Sequence, residues 1–523
     1  MGNQHGDHGG TPTPRHQEDH RVAKSEHNPN APRSARPPRP RGALGRARTA
    51  VAVAAARTTG ASLRRLRLGG GTSLPGLIAG GLDPRIVAHL SAQLRHGSVV
   101  VTGTNGKTTT SGLLAYILKD AGLRVWRNRE GANLLRGVTA ALVIRSELNG
   151  MLRGGGDAAA VFEVDEAAFP RVIAELRPRT ILVTNLFRDQ LDRYGEVDTV
   201  AERWRAALAA TPASTTLALN ADDPAIAALA SAATRTVVYF GVEDAPAAIP
   251  GEDRVTSGEV IDTRTCPRCR APLTYSIRFY SHIGHWACPN CGYARPIPTI
   301  RARAVTASGL DSTQFRLETP TGAADVTLAL PGLYNVYNAL AAAAAAHLMD
   351  AHLDAMRTAI QRFTPAFGRA EHINADGRFV RILLAKNPTG LNEVLRALAI
   401  GETPGTSAPR RHLLLLLNDR AADGEDVSWI WDADYERVPA IARTIVVSGT
   451  RAADLALRLK YAGVTGDDLT VEPDVARALD TALANIPEGD TLYVVPTYTA
   501  MLAVRGELER RGYAPHYWET ADA

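Results

Sequence analysis

The chain has 523 residues, 45% hydrophobic and 22% charged, an ordinary globular composition that excludes wholesale disorder and fibrous repeats. No stretch approaches the roughly 20 apolar residues that span a bilayer, and the polar N-terminus carries no secretory apolar segment, so a cytoplasmic protein is expected. Charge is uneven. Residues 1–68 hold thirteen Arg/Lys against four Asp/Glu, and the whole chain is only +5, which leaves residues 69–523 at −4. Basicity therefore belongs to the leader, and the body lacks the basic footprint of a nucleic-acid binder.

In chain order, residues 1–45 mix His, Pro, Arg and Gly without apolar periodicity and read as a disordered basic tail. Two uses of it stand: a solvated extension, or a polybasic contact with an anionic surface. Ala43 to Leu66 suits an Ala/Arg-rich helix. HGSVVVTGTNGKTTTSGLLAYILKDAG then reads strand, Gly-rich turn, amphipathic helix. β-branched runs at Ala159–Val164, Thr180–Thr184 and Thr216–Asn220 alternate with helical stretches, the signature of a doubly wound parallel sheet. Short β-like segments from about 236 to 330 surround a cysteine-rich insert, and one helix is expected from about 334 to 363. From 379 the runs RFVRILLA, HLLLLLN, TIVVSG and TLYVVPTY predict a second, Rossmann-like α/β domain. The expected division is a tail over 1–45, a central ATP-binding domain over 46–365 with a ribbon inserted at about 262–296, and a C-terminal domain over 366–523.

Three groups of residues carry chemistry. Gly103, Thr104, Asn105, Gly106, Lys107, Thr108 and Thr109 form a G-x-x-G-K-T turn between strand and helix. Such a turn offers phosphate its backbone N–H donors, a cation and a positive helix end. Lys107 would neutralise the β/γ-phosphates of ATP and the Thr108 hydroxyl would ligate Mg²⁺, although Val101 replaces the first glycine of the strict pattern. The second group, Cys266-x₂-Cys269-x₁₈-Cys288-x₂-Cys291, contains every cysteine of the chain. Its spacing suits Zn²⁺ held by four thiolates, a closed and therefore structural site. His282 and His285 are alternative ligands, though spare histidines are more often core or surface. The third group is carboxylates near strand ends: Glu163, a Mg²⁺ candidate with Thr108, and Asp189 and Asp192.

These motifs, in this order, resemble the Mur ligase superfamily of ATP-dependent amide-forming ligases. TGTNGKTTT is similar to its P-loop, VFEVDE to its Mg²⁺-binding segment through Glu163, and TNLFRDQLDRYGE to its TN…DHxDRY segment. LPGLYNVYNALAAAAA resembles the stretch in which Asn335 and Asn338 would serve the nucleotide, Asn338 at adenine; FGRAE resembles the turn whose arginine, here Arg369, reaches the phosphates. The resemblance implies a Mur ligase-type central P-loop domain with a mostly parallel sheet. Three departures narrow it. Only about fifty helix-like residues separate the tail from the P-loop strand, too few for the domain that binds a UDP-linked sugar in cytoplasmic Mur ligases. Gln190 stands at the histidine position near the metals, and no lysine occurs between Lys119 and Lys386 to become carbamylated, so the second-metal arrangement differs.

The Cys₄ insert, LLAKNPTGLNEVL and LLNDRAADGEDVSWIWD together resemble the MurT family, the synthetase subunits of lipid II isoglutaminyl synthases. That resemblance implies a heterodimer with a GatD-type glutaminase and amidation of the D-glutamate α-carboxylate of the lipid II stem peptide through an acyl phosphate. Lys386 would reach the γ-phosphate or acyl phosphate on domain closure. Asp423 would complete the partner's Cys/His dyad, with Asp426 as the neighbouring alternative. With all cysteines assigned to zinc, the glutaminase thiol belongs to another polypeptide. Work at the inner membrane face is implied by the lipid-borne substrate. The rival readings are a stand-alone Mur or folylpolyglutamate-type ligase and, from another class, a zinc-ribbon nucleic-acid-binding ATPase.

Overall fold

A computed structural model of the protein describes residues 42–65, 74–128, 131–188, 197–232, 235–247, 262–308, 310–364, 369–399 and 410–515. The strands are β1 (Ser98–Thr102), β2 (Val125–Arg127), β3 (Ala159–Glu163), β4 (Thr180–Val183), β5 (Thr216–Asn220), β6 (Val237–Val242), β7 (Thr274–Tyr280), β8 (Ile283–Ala287), β9 (Ile300–Ser308), β10 (Ser312–Thr319), β11 (Gly322–Leu328), β12 (Arg369–Ala375), β13 (Arg378–Leu383), β14 (Arg411–Leu416), β15 (Ala442–Ser448), β16 (Leu469–Val471) and β17 (Thr491–Pro496).

The larger sheet has the order β11-β10-β9-β6-β5-β4-β1-β3-β2 among the described residues. From β2 to β9 it is parallel, and β10 and β11 add an antiparallel edge. β1 lies between β3 and β4, so the chain leaves it in one direction and later returns on the other side. A parallel sheet opens its ligand crevice where the strand order reverses in this way. Both faces of its strands are buried, as SVVVT and AAVFE require. One face packs on the helices Lys107–Asp120, Leu333–Leu348 and Leu353–Arg362 through Leu113, Ile117, Leu340 and Ile360. The other carries Gly42–Arg65, Leu135–Ile144, Phe169–Leu176 and Val197–Ala209 through Ala52, Val53, Val138, Phe169 and Trp204.

Two expectations are corrected here. The helix expected over Ala43–Leu66 runs Gly42–Arg65, so residues 42–45 are helical rather than tail; the rest of the expected tail lies outside the described residues. The single helix expected from 334 to 363 is two, Leu333–Leu348 and Leu353–Arg362. Asp350 at φ +66° turns the chain between them, and the N–H groups of Met349, Asp350 and Ala351 close onto the last helical carbonyls. No Gly or Pro marks that break, so the sequence hides it.

The second sheet has the order β12-β13-β17-β14-β15-β16, parallel except for the β12–β13 hairpin. The cysteine-rich insert is a β7–β8 hairpin flanked by two cysteine knuckles, inserted between β6 and β9. The knuckles repeat one hydrogen-bond pattern. Cys266 N donates to Ala271 O at 2.8 Å and Arg270 N returns to Cys266 O at 2.9 Å; Cys288 N donates to Tyr293 O at 2.8 Å and Gly292 N returns to Cys288 O at 3.1 Å. Arg270 and Gly292, the equivalent positions, both have positive φ, +64° and +69°. The Arg268 guanidinium lies 3.7 Å over the Tyr293 ring and ties one knuckle to the other.

Candidate nucleotide site and zinc ribbon

The nucleotide loop follows β1 directly. Gly103 (φ +132°) and Gly106 (φ +82°) are both necessary, because a Cβ at Gly103 would meet Thr184 Oγ1 at 2.1 Å and one at Gly106 would meet Asn338 Oδ1 at 1.9 Å. The loop is fastened from β4. Asn105 N donates to Asn185 Oδ1 at 2.8 Å, Asn185 Nδ2 donates back to Asn105 O at 3.1 Å, and Thr184 Oγ1 donates to the same carbonyl at 3.0 Å. Thr104 Oγ1 accepts from Phe187 N at 3.0 Å. Lys107 Nζ, nearly buried, lies 2.5 Å from Gly103 O, 3.3 Å from Thr104 O and 3.2 Å from Glu166 Oε2.

Glu163, at the end of β3, accepts from Thr108 Oγ1 at 3.0 Å and Asn133 Nδ2 at 2.9 Å on the same oxygen. Its backbone is clamped by Asn128, which accepts from Glu163 N and donates to Glu163 O, each at 2.9 Å. The hydroxyl and carboxylate expected to hold Mg²⁺ thus stand together at the start of the helix Lys107–Asp120. Their all-oxygen chemistry fits a hard cation.

Asn338 Oδ1 accepts from Thr110 Oγ1 at 3.2 Å, and its Nδ2 donates to Asn335 Oδ1 at 3.0 Å. The pair is buried against the P-loop helix. From the second sheet, Asn387 Nδ2 donates to Asn105 Oδ1 at 3.0 Å and Asn105 Nδ2 returns to Asn387 Oδ1 at 3.3 Å. Asn387 also caps the helix Pro388–Leu398 by accepting from Gly390 N at 2.8 Å. Lys386, half-buried, is its neighbour in the chain, between β13 and the helix Pro388–Leu398. Arg369 begins β12, but its side chain, like all of Asp189, Gln190 and Asp192, lies outside the described residues. Glu166, Asn128, Asn133, Asn185 and Asn387 are the site residues that sequence reasoning passed over.

In the ribbon the four Sγ atoms lie within 4.8 Å of one another, with Cys266–Cys291 at 3.6 Å and Cys269–Cys288 at 3.4 Å. These separations exclude disulfides, whose sulfurs bond at about 2 Å, and match the edges of a tetrahedron with Zn–S bonds of about 2.3 Å. The donor set therefore fits structural zinc. His285 points elsewhere, its Nε2 2.8 Å from Val242 O. His282 is fully buried, with Nε2 3.3 Å from Asp223 Oδ2. Burial opposes the charged imidazole, but Asp223, helped by Asp262, raises its pKa above the ordinary value. Asp223 in turn accepts from Leu186 N at 2.9 Å, and the His282 ring lies 4.8 Å from that of Phe187. The ribbon is thereby joined through Asp223, Leu186 and Phe187 to the P-loop threonine Thr104. Trp286 Nε1 and Gly284 N fix it further to Ala221 O and Asp222 O, at 3.1 and 3.0 Å.

Asp423 is buried. Its carboxylate accepts from Thr499 N at 2.7 Å and from the Thr499 hydroxyl, so both oxygens serve the start of the helix Tyr498–Arg510. Asp426 is exposed. It accepts from Ser428 N at 2.8 Å, and hydrogen bonds from the Ser428 side chain and backbone hold its carboxyl below the usual range. Asp426 lines a cavity of about 290 Å³ together with Trp431, Arg451 and Asp454.

Two family models match the chain: the Mur ligase middle domain over residues 101–267 and the MurT ligase C-terminal domain over 384–501. The lipid II isoglutaminyl synthase (glutamine-hydrolyzing) subunit MurT of Staphylococcus aureus is 34% identical over 441 residues, covering 84% of this chain and 93% of the relative. The chain belongs to the MurT family. Its Streptococcus pneumoniae member is 32% identical over 451 residues, 85% and 94% of the two chains. The pseudomurein peptide ligase type C of Methanothermus fervidus superposes with a TM-score of 0.58 at 25% identity, covering 81% of this chain and 80% of its own. Both family models take in the site just described: the first spans the P-loop and Glu163, the second Lys386 and the Asp423–Asp426 segment.

Proposed function

We propose that this chain is the synthetase subunit of a lipid II isoglutaminyl synthase, working in peptidoglycan synthesis. It uses ATP to activate the α-carboxylate of D-glutamate in the lipid II stem peptide and joins it to ammonia. A carboxylate oxygen attacks the γ-phosphorus and ADP leaves; ammonia then attacks the acyl carbon and phosphate leaves, giving D-isoglutamine. The observation that carries this reading is a complete P-loop, with Lys107, Thr108 and Glu163 in one cluster, on a chain that covers 93% of a MurT relative.

The chemistry brings anion to anion, so cations must screen the approach. Lys107 exchanges its loop carbonyls for phosphate oxygens while Glu166 keeps the ammonium oriented. Thr108 and Glu163 would hold Mg²⁺, which supplies further charge neutralisation when bound. Lys386, with Asn387 on the P-loop, faces the transferring group, and Arg369 serves the phosphates. Asn335 and Asn338 shape the nucleotide side of the loop. Zinc on the four cysteines keeps the ribbon folded against Asn220–Asp223.

Ammonia comes from a GatD-type glutaminase bound as a second subunit. The carboxylate that orients that partner's histidine must be reachable from outside. Exposure favours Asp426 for this role, whereas Asp423 holds the helix behind it. The test supplies purified chain with Mg-ATP, lipid II bearing D-glutamate and ammonium chloride, without any partner. A product in which NH₂ replaces OH, formed only with ammonium, supports the synthetase; ATP-dependent addition of a free amino acid instead would assign the chain to the stand-alone ligases.

A further inference from the structure

The N-terminal helices carry a pattern that the nucleotide chemistry does not use. From His27 through Leu82 there is no acidic residue, and the same stretch has ten arginines. Within it the helix Leu74–Leu82 has the sequence LPGLIAGGL, with no charged or polar side chain. Its apolar residues split between two sides. Pro75, Gly76 and Ala79 are buried, while Leu74, Leu77 and Leu82 are 40%, 62% and 42% exposed. Leu74, Leu77, Ile78 and Leu82 follow the i, i+3, i+4, i+8 spacing of one helix face, and that face is turned outward.

This orientation is fixed. A Cβ at Gly76 would lie 1.9 Å from Arg136 O and 3.1 Å from Ala140 N, so the helix Leu135–Ile144 holds the glycine side inward and the leucines cannot roll into the core. The neighbouring helix Gly42–Arg65 repeats the theme. Leu44 and Val51 are 89% and 60% exposed, and Arg48, between them on the same face, donates from Nε to Leu82 O at 2.7 Å. A guanidinium therefore stands at the end of the leucine stripe. The first acid after the arginine-rich stretch, Asp83, is only 2% exposed and is taken up by Thr49 Oγ1 at 2.8 Å, His89 Nδ1 at 2.9 Å and Arg85 N at 3.1 Å. The adjoining loop Glu147–Met151 adds exposed Leu148 and Met151 along with one carboxylate, Glu147. Seven of the fourteen large hydrophobic side chains exposed among the described residues belong to these two helices and this loop.

We propose that the face formed by the helix Leu74–Leu82 and the outer side of Gly42–Arg65 seats on an anionic lipid surface. The leucines enter the headgroup boundary and Arg46 and Arg48 meet the phosphates, the division of labour of an interfacial amphipathic element. Charge favours lipid over a nucleic acid, which has no use for an uncharged leucine stripe, and a surround with exposed Arg46 and Arg48 beside a single named carboxylate, Glu147, disfavours a basic protein partner. The inference stands on exposure and charge and goes beyond the proposed amidation, with which a lipid-borne acceptor agrees.

The experiment sediments the full chain with vesicles of phosphatidylcholine, alone or mixed with phosphatidylglycerol, and without lipid II. Its failure therefore leaves the amidation reading untouched. The expected result is binding to the mixed vesicles that weakens with salt, at least about tenfold weaker for Leu74→Ser/Leu77→Ser and several-fold weaker for Arg46→Gln/Arg48→Gln. Unchanged melting and ATP binding would show that both variants fold. Absence of vesicle binding by the wild type would overturn the proposal. So would binding that survives the leucine changes but is lost when Arg33, Arg36, Arg39 and Arg41 become Gln, which would assign attachment to the tail. Self-association abolished by the leucine changes, without vesicle binding, would also overturn it and make the face an interface between copies.

Discussion

The Gly103–Thr108 loop and the Asp423–Asp426 segment are both short glycine-containing turns following parallel strands, yet they present their chemistry in different ways. In the first, the backbone is the site: Gly106 begins a helix, Lys107 and Thr108 are fixed by their place on its first turn, and the spacing alone identifies them. In the second, the group proposed to face the partner is one carboxylate of two, three residues apart. Asp423 turns inward to Thr499 while Asp426 stays outside. Spacing identifies a site when peptide groups make it; when a lone side chain makes it, burial decides.

The largest expected effect breaks the first loop. Lys107→Met should lower ammonium-dependent amidation by about 10²–10³-fold. It should also cost about 3 kcal/mol of stability by removing one member of the buried Lys107–Glu166 ion pair, seen as a lower urea midpoint. The second loop is tested by contrast. Asp426→Asn should reduce glutamine-dependent amidation by about 10²-fold or more while sparing the ammonium reaction, because only the partner's histidine loses its orienting group. Asp423→Asn should instead lower both reactions together and reduce stability by about 1–3 kcal/mol. Equal behaviour of the two variants would erase the distinction between buried and exposed carboxylate.

Smaller effects sharpen the comparison. Cys266→Ser, or zinc chelation, should loosen the ribbon from Asn220–Asp223 and weaken nucleotide affinity by about tenfold through Asp223 and Leu186, measured by titration calorimetry alongside zinc content. Smallest is Asp83→Asn, remote from both loops, at about 1 kcal/mol. Burial opposes the Asp83 charge, but hydrogen bonds from His89, Thr49 and Arg85 N outweigh it and depress the pKa. Its contribution is therefore present above the ordinary carboxylate pKa and fades as pH falls through the depressed folded-state value. The difference between wild type and Asp83→Asn in urea should shrink on acidification.

The sequence made the alternating strands, the P-loop and the paired cysteines legible, because each depends on a local period or spacing. Glu163 could be read from its place at the end of an apolar run. Asn128, Asn133, Asn185 and Asn387 could not: each is an unremarkable loop asparagine until β2, β4 and the second sheet bring it to the P-loop. The turn at Asp350 was hidden for a related reason, since a non-glycine residue takes positive φ there without a breaker nearby. The outward leucine stripe was equally silent, because an apolar helix reads as core until its neighbours are known.

The reciprocal amide pair between Asn105 and Asn387 joins positions 282 residues apart. In folding terms this is a contact of very high order, and closing so long a loop is entropically slow. Each sheet has its own core and can form before this contact exists. The contact that joins the second sheet to the P-loop is then expected to form late, after both sheets have their cores. A fragment ending before β13 would have the P-loop but no Asn387 to pair with Asn105.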